Sequence, residues 1–217
     1  MKKGIPVQQG RRYEIDVKTL GTSGEGVGRS SNFTIFVPGA LPGERTLVRI
    51  DEVKKTYARG KLLEILEKSP ERVAPVCSIY DSCGGCQLQH LSYEGQLRWK
   101  RQQVVDALER IGGLSHIEVL PVLGAQEPWF YRNKMQFPVG RKQGKTVIGC
   151  FAKGSHDIVD TRNCRIQKEG NNIIINAMRE IVDRLHIPIY DEDSHTGVLR
   201  HIVGRIGENG EAMVVLV

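Results

Sequence analysis

Gly21-Thr-Ser-Gly-Glu-Gly-Val-Gly28 admits two architectures. A dinucleotide-binding glycine loop follows a strand and opens a helix, so that phosphates meet the helix N-terminus. Here a short polar stretch follows instead, and then Phe33-Thr-Ile-Phe-Val37, which has the composition of a strand. Upstream, Tyr13-Glu-Ile-Asp-Val17 alternates polar and apolar residues with the two-residue period of a half-buried strand. The glycines are therefore read as a hairpin turn. Pro38-Gly39 and Pro42-Gly43 mark further turns before Thr46-Leu-Val-Arg-Ile50, and Tyr57 to Leu66 closes the module. Short strands and glycine-rich turns over residues 8–68 predict a small OB-like β-barrel, a fold that binds nucleic acid on one face. Lys54, Lys55 and Arg59 surround Tyr57, a set suited to one stacked base and its phosphates, or equally to an ordinary charged hairpin.

Residues 69–91 carry the chemistry. Cys77, Cys83 and Cys86 are spaced C-x5-C-x2-C with Gly84-Gly85 inside the tighter pair, and the run ends Gln87-Leu-Gln-His90. Glycines let a chain curl tightly and turn backbone N–H groups toward sulfur. A fourth thiolate must come from afar. Cys164 is the choice and Cys150 the competitor, although Val147-Ile148-Gly149 before Cys150 makes it read as a small buried apolar residue. Three cysteines in one loop and a distant fourth suit an iron-sulfur cluster. Zinc, held by four thiolates or by three and His90, stays open, although zinc sites usually pair their ligands as two C-x2-4-C halves. Five cysteines leave one over in any disulfide scheme, and no secretory segment precedes them.

Residues 92–217 read as a helix followed by a β-rich, partial α/β region, making the whole a mixed β-rich α+β chain. Ser92 is a helix N-cap, the apolar stripe runs through Tyr93, Leu97, Val104, Leu108 and Ile111, and Gly112-Gly113 ends the helix. Alternation in Tyr131–Phe137 puts Tyr131, Asn133, Met135 and Phe137 on one face and Arg132, Lys134 and Gln136 on the other, the latter fitted to phosphates and base edges. Strands are expected at 146–151, 156–161, 198–206 and 212–217. A second helix is expected with Ile174, Ala177, Ile181 and Leu185 on its apolar face. In the 198–206 strand Arg200 is displayed on one side, with His201 and Arg205 on the other.

The 217 residues carry a formal charge of +6 and are 40% hydrophobic, enough for one large or two small domains. Residues 1–70 hold 13 Lys/Arg against 8 Asp/Glu, and residues 95–145 hold 9 against 4. Two positive segments flanking the cysteine loop suggest a polyanionic partner. No apolar run is long enough to cross a bilayer, and the basic start Met1-Lys-Lys-Gly lacks a hydrophobic segment behind it, so a cytoplasmic location is expected.

Assembled, these stretches resemble the N-terminal half of the RNA (uracil-5-)-methyltransferases, in particular the iron-sulfur branch that acts on 23S ribosomal RNA. Leu20–Arg29 with Phe36–Glu44 is similar to the family's TRAM domain. Ser69–Cys77 with Cys83–His90 resembles its cluster loop, and Trp129–Lys134 with Leu199–His201 its central domain. The resemblance implies a 4Fe-4S cluster on Cys77, Cys83, Cys86 and Cys164, and RNA, 23S ribosomal RNA in particular, along Arg132, Lys134, Gln136 and Arg200. It further implies S-adenosylmethionine as cofactor of the whole enzyme and a monomeric state. The methyltransferase domain is expected to be absent, since its glycine-rich loop and the acidic residue for the ribose would have to come after Val217. No catalytic residue is therefore assigned, because uracil C5 methylation needs a cysteine adding to C6 and a base for the C5 proton. The alternative is a self-standing, non-catalytic RNA-binding protein with iron-sulfur or zinc.

Overall fold

A computed structural model describes residues 5–217; the basic start at Met1–Gly4 lies outside the described residues. The chain forms two compact units, one of residues up to Ala74 with Gln87–Leu123, the other of Pro75–Cys86 with Gly124–Val217. This division cuts across the segments drawn from the sequence: the helix after the cysteine loop groups with the barrel, and the cysteines group with the second sheet.

In the first unit, β1 (Arg12–Leu20), β2 (Gly26–Ser30), β3 (Phe33–Val37), β4 (Arg45–Val53) and β5 (Tyr57–Glu67) close into a barrel of order β1-β2-β3-β5-β4. All neighbours are antiparallel except β3 and β5. The alternation read from the sequence fills the interior with Ile15, Val17, Ile35, Val37, Val48 and Ile50. The glycine stretch is the expected hairpin. Gly24 takes φ +84° in the turn, and a Cβ at Gly28 would collide with the Ile15 side chain and the Asp16 carbonyl across the strand pair. Ser31 and Asn32, both at positive φ, join β2 to β3 as a tight hairpin turn matched to strand twist.

Helix α1 (Tyr93–Asp106) starts where expected, with Ser92 Oγ accepting the Gly95 N–H at 3.1 Å, and runs through a π-helical turn at Ala107–Ile111. Its packing face is not the expected stripe. Val104 and Ile111 are exposed at 49% and 88%, while Trp99 packs with Leu20, Leu41, Leu88 and Leu91, and Gln103 donates to the Leu20 carbonyl. Gly95 is buried against Leu91, where a longer side chain has no room. A glycine, a tryptophan and a glutamine make this face, and a hydropathy stripe does not register it.

In the second unit an antiparallel sheet has the order β10-β9-β6-β7-β8: β6 is Lys134–Lys142, β7 Lys145–Phe151, β8 Ile158–Asp160, β9 His201–Ile206 and β10 Ala212–Leu216. Helix α2 (Glu169–Arg184) covers one face, packing Ile175, Met178 and Val182 against Met135, Phe137, Ile148 and Ile202. The apolar face is thus centred one residue along from the predicted one, leaving Leu185 exposed. The cause is polar burial: Asn171, Asn172 and Arg179 are also inside, with Arg179 Nη2 2.6 Å from Asp160 Oδ1 and further bonded to the Ile148 and Thr161 carbonyls. Among the described residues no helix is long and apolar enough to cross a membrane.

The barrel also buries an ion pair. Glu44, its side chain wholly enclosed, receives the Leu41 N–H at 2.8 Å and Arg72 Nη2 at 2.9 Å, while the same Nη2 donates to the Gly39 carbonyl. Burial acts to raise the Glu44 pKa, but Arg72 and the Leu41 and Ser69 N–H groups outweigh it and hold the carboxyl below its ordinary 4.5. A depressed carboxylate contributes stability that is present above the unfolded-state pKa and lost as pH falls through the folded-state value. Glu44→Gln, which strands the Arg72 charge, is expected to cost about 3 kcal/mol at pH 7 in urea unfolding. The gap between variant and parent should narrow as the pH falls below about 4.5.

Candidate metal centre and nucleic-acid interface

The cysteine loop is fastened to the end of β7. Cys83 bridges Ala152, the Gly84 N–H donates to the Phe151 carbonyl at 2.9 Å, and the Lys153 N–H donates to the Ser82 carbonyl. A Cβ at Gly84 would stand 2.8 Å from the Phe151 oxygen, so the close approach requires glycine there. Lys153 also lies over the Tyr80 ring, 4.5 Å from its centroid. Within the loop, Tyr80 N–H and Cys83 N–H close turns onto the Cys77 and Ile79 carbonyls, and the Gly85 N–H points at Cys83 Sγ at 3.4 Å. Of the two roles expected for the glycine pair, the N–H near sulfur is met at Gly85, whereas neither glycine takes positive φ and Gly84 instead serves the close backbone approach.

Cys164 lies between β8 and α2. Its N–H donates to Asn172 Oδ1 at 2.9 Å, and Asn172 Nδ2 returns to the Cys164 carbonyl at 3.3 Å, so a buried helix side chain grips the peptide on both sides. Burial pushes the Cys164 thiol up; the N–H groups of Ile166 and Gln167 work against this, and the nearby charges of Cys86 and Cys77 raise it further.

Cys150 is not an isolated apolar residue. It is half-buried on β7 with its thiol in hydrogen-bond contact with Cys83, and its Sγ and that of Cys83 each lie 3.4 Å from where a Cβ on Gly85 would sit. That hydrogen bond lowers Cys83 to about 6 against the effect of burial, with Gly85 N–H and Lys153 assisting. The same bond, followed by burial and the charges of Cys83, Cys164 and Cys86, pushes Cys150 up. Cys83, Cys86 and Cys164 thus act on Cys150, and Cys77 and Cys86 on Cys164, so the five cysteines share one neighbourhood of the second unit. The β-bridge that brings the loop to β7 pairs residues far apart in sequence, which is why the Cys83–Cys150 contact could not be read from spacing. Among the described residues, no three His, Cys, Asp or Glu side chains are gathered round a point as for a single ion. His90 is buried in the first unit, its carbonyl accepting the Val73 N–H.

The basic residues divide between the units. On the barrel, Lys55 and Arg59 are exposed, but Lys54 pairs with Glu52 and Tyr57 is half-buried, edge-on to Phe36 with centroids 5.4 Å apart. Phe36 stands across from Arg59 in the β3–β5 register, so the aromatic partner of this patch comes from a strand the local reading had not connected to it. In the second unit β6 begins only at Lys134. Arg132 precedes it, exposed and held by backbone bonds to Ile166 and Lys168. Lys134 and Gln136 face outward as expected, with Met135 and Phe137 inward. Arg200 does not join them. It lies before β9, its guanidinium 3.8 Å over the Tyr190 ring and beside Glu192, whereas Arg205 is the residue paired with Lys134 across the β6–β9 ladder. Arg205 shares the His201 face, opposite the buried Ile202 and Gly204, as the alternation read from the sequence had it; the sequence had named Arg200 rather than Arg205 for RNA.

Residues 6–63 match the TRAM domain family. The whole chain is 50% identical over 218 aligned residues to an uncharacterized RNA methyltransferase of Clostridium tetani, of which it covers 47%. It is 45% identical to another of Halalkalibacterium halodurans, also covering 47%. Among solved structures, it resembles the Pyrococcus abyssi tRNA (uracil-54, C5)-methyltransferase bound to S-adenosyl-L-homocysteine, with TM-score 0.67 and 26% identity over 94% of this chain and 45% of that one. The barrel is a TRAM domain, and over its whole length the chain is similar to proteins named RNA methyltransferases, among them one structure of the RNA (uracil-5-)-methyltransferase family. It spans about half the length of the curated relatives it matches.

Removing the Asn172 amide leaves the Cys164 peptide without its side-chain partner in a half-buried setting. Asn172→Ala is expected to lower stability by about 1–3 kcal/mol, measured by urea unfolding. Gln102→Ala, which removes only an exposed side-chain bond to Asp106 Oδ1, is expected to cost less than about 1 kcal/mol.

Proposed function

We propose that this chain is the RNA-recognition and iron-sulfur half of an S-adenosylmethionine-dependent methyltransferase that modifies carbon 5 of uracil, with 23S ribosomal RNA as substrate. The observation that carries the reading is the gathering of the 77–86 cysteines with Cys164 in the same unit that carries the outward Lys134 and Arg205. Cys77, Cys83, Cys86 and Cys164 would hold a 4Fe-4S cluster. Each cysteine of such a cluster binds a different iron, so the sulfurs surround a volume rather than a point. Three cysteines in one loop with a distant fourth suit such a cluster better than a single zinc ion, whose four ligands must all reach one centre at about 2.3 Å. When bound, the cluster would serve as a structural clasp between the loop and the β8–α2 connection.

The chain's own residues then do the recognition. Lys55 and Arg59 on the barrel, and Arg132, Lys134 and Gln136 on the second unit, are placed for phosphates and base edges. Methyl transfer and S-adenosylmethionine binding belong to the whole protein. Cys150 is a poor candidate for the nucleophile that adds to uracil C6, because its thiol is engaged with Cys83 and its ionisation is opposed from three sides. The structural likeness to an enzyme named for uracil 54 of tRNA supplies a second substrate reading. Direct competition between a 23S ribosomal RNA fragment and a tRNA transcript separates the two, and tighter binding of the tRNA would overturn the ribosomal assignment.

Anaerobic reconstitution is expected to give about four iron and four sulfide per chain and a brown chromophore. Cys164→Ser should lose most of the iron, whereas Cys150→Ser should retain it. Colourless protein with one zinc per chain would replace the cluster with zinc, and equal loss in both variants would undo the ligand assignment. RNA affinity should fall steeply with salt. Lys134→Ala should reduce the slope of log K against log salt by about 0.7 on a single-stranded RNA.

A further inference from the structure

A cavity of about 460 Å³ opens in the second unit between the 163–170 segment, Phe130 and the β9–β10 turn. None of the residues singled out above for RNA lines it. Its wall includes Phe130, Asn163, Arg165, Lys168 and Glu208, so Cys164 is flanked on both sides by residues of the cavity. Phe130 is unusual in two respects. It is a large aromatic left 38% exposed, and its backbone lies in the left-handed region at φ +53°, where a side chain with a Cβ is strained. Its N–H donates to the Arg165 carbonyl at 2.9 Å, which couples the ring's position to the arginine beside it. Arg165 is exposed and, among the described residues, enters no ion pair. Lys168 gives only a long 3.4 Å bond to the Gly207 carbonyl, leaving its other protons to a ligand.

We propose that this cavity is a subsite for a single unpaired nucleotide of the RNA, an inference that rests on the RNA-binding reading above. The Phe130 ring provides a stacking face, and Arg165 and Lys168 take the phosphate. The Glu208 carboxylate in the same wall offers the base edge the acceptors that exocyclic amines and ring N–H groups need, while Asn163 Oδ1 is already held by Asn172. The carboxylate is what separates this ligand from a bare anion: a phosphate ion would meet repulsion from Glu208, and a nucleotide satisfies both signs at once. The volume lies at the small-ligand scale of enzyme pockets and is too confined for a duplex.

The test measures fluorescence anisotropy of a fluorescein-labelled ten-nucleotide single-stranded uridine-rich RNA with the 217-residue chain. Phe130→Leu keeps an apolar side chain on the same backbone and removes only the ring. It is expected to weaken binding about ten-fold with the circular dichroism spectrum and melting temperature unchanged. Arg165→Gln is expected to weaken binding and to reduce the salt slope by about 0.7, a change that altered packing alone would not cause. If the parent chain binds the RNA and both variants bind it equally well with the same slope, the subsite is overturned while the RNA reading stands. If the parent chain binds no RNA, both fall together.

Discussion

The backbone pairing between the cysteine loop and the end of β7 is the contact on which the site depends. Gly84 donates to Phe151, Cys83 bridges Ala152, and Lys153 returns a bond to Ser82. These are short-range directional bonds, and they carry Cys83 to Cys150 and into reach of the segment that holds Cys164. The opposite wall is set independently: Arg179 and Asp160 tie α2 to the end of β8, and Asn172 holds the Cys164 peptide. Two rigid supports thus converge on the same group of sulfurs. A loop anchored only by its own turns would leave those thiols to sample many arrangements, and the entropy of fixing them would fall on whatever they bind.

Charge works differently in the two units. On the barrel many cations are already matched, Arg45 with Glu14 and Glu67, Arg49 with Asp51, Lys54 with Glu52. Exposed pairs of this kind contribute little to stability and exchange readily for phosphate. On the second sheet Lys134 and Arg205 stand side by side as like charges across a ladder, an arrangement mildly unfavourable in isolation. Adjacent unmatched cations mark the place where a polyanion gains most from binding, because their mutual repulsion is relieved at the same time.

Much of the fold was legible because it is written in short periods. The alternation of 13–17 and 33–37, the turn glycines of 21–28 and the Ser92 cap all act over a few residues, and each element formed where those signals lie. What escaped was decided by polar or small residues that pack. Gly95, Trp99 and Gln103 make the buried face of α1, and Asn171, Asn172 and Arg179 turn α2 by one residue, because a hydrogen-bonded amide or a paired guanidinium is buried as readily as a leucine once its partners are in place. The site shows the same division. The three-cysteine loop was visible as spacing, and Lys134 and Gln136 as alternation. The Cys83–Cys150 contact, the Phe36–Tyr57 pair and the Lys134–Arg205 ladder depend on strand register between distant segments, to which a one-dimensional pattern is blind.

The twelve-residue excursion Pro75–Cys86 belongs to a unit whose remainder begins only at Gly124. A ribosome that has delivered Cys86 must add 78 more residues before Cys164 exists, roughly 4–16 s at ordinary elongation speeds. During that interval β7 and β8, the scaffold that gathers the sulfurs, are also incomplete. The first three thiols therefore emerge well ahead of their partners, and the barrel, complete by Glu67, is ready to fold while they wait. Assembly of the sulfur-rich half is in this way a late event by construction, scheduled by chain order rather than by chemistry.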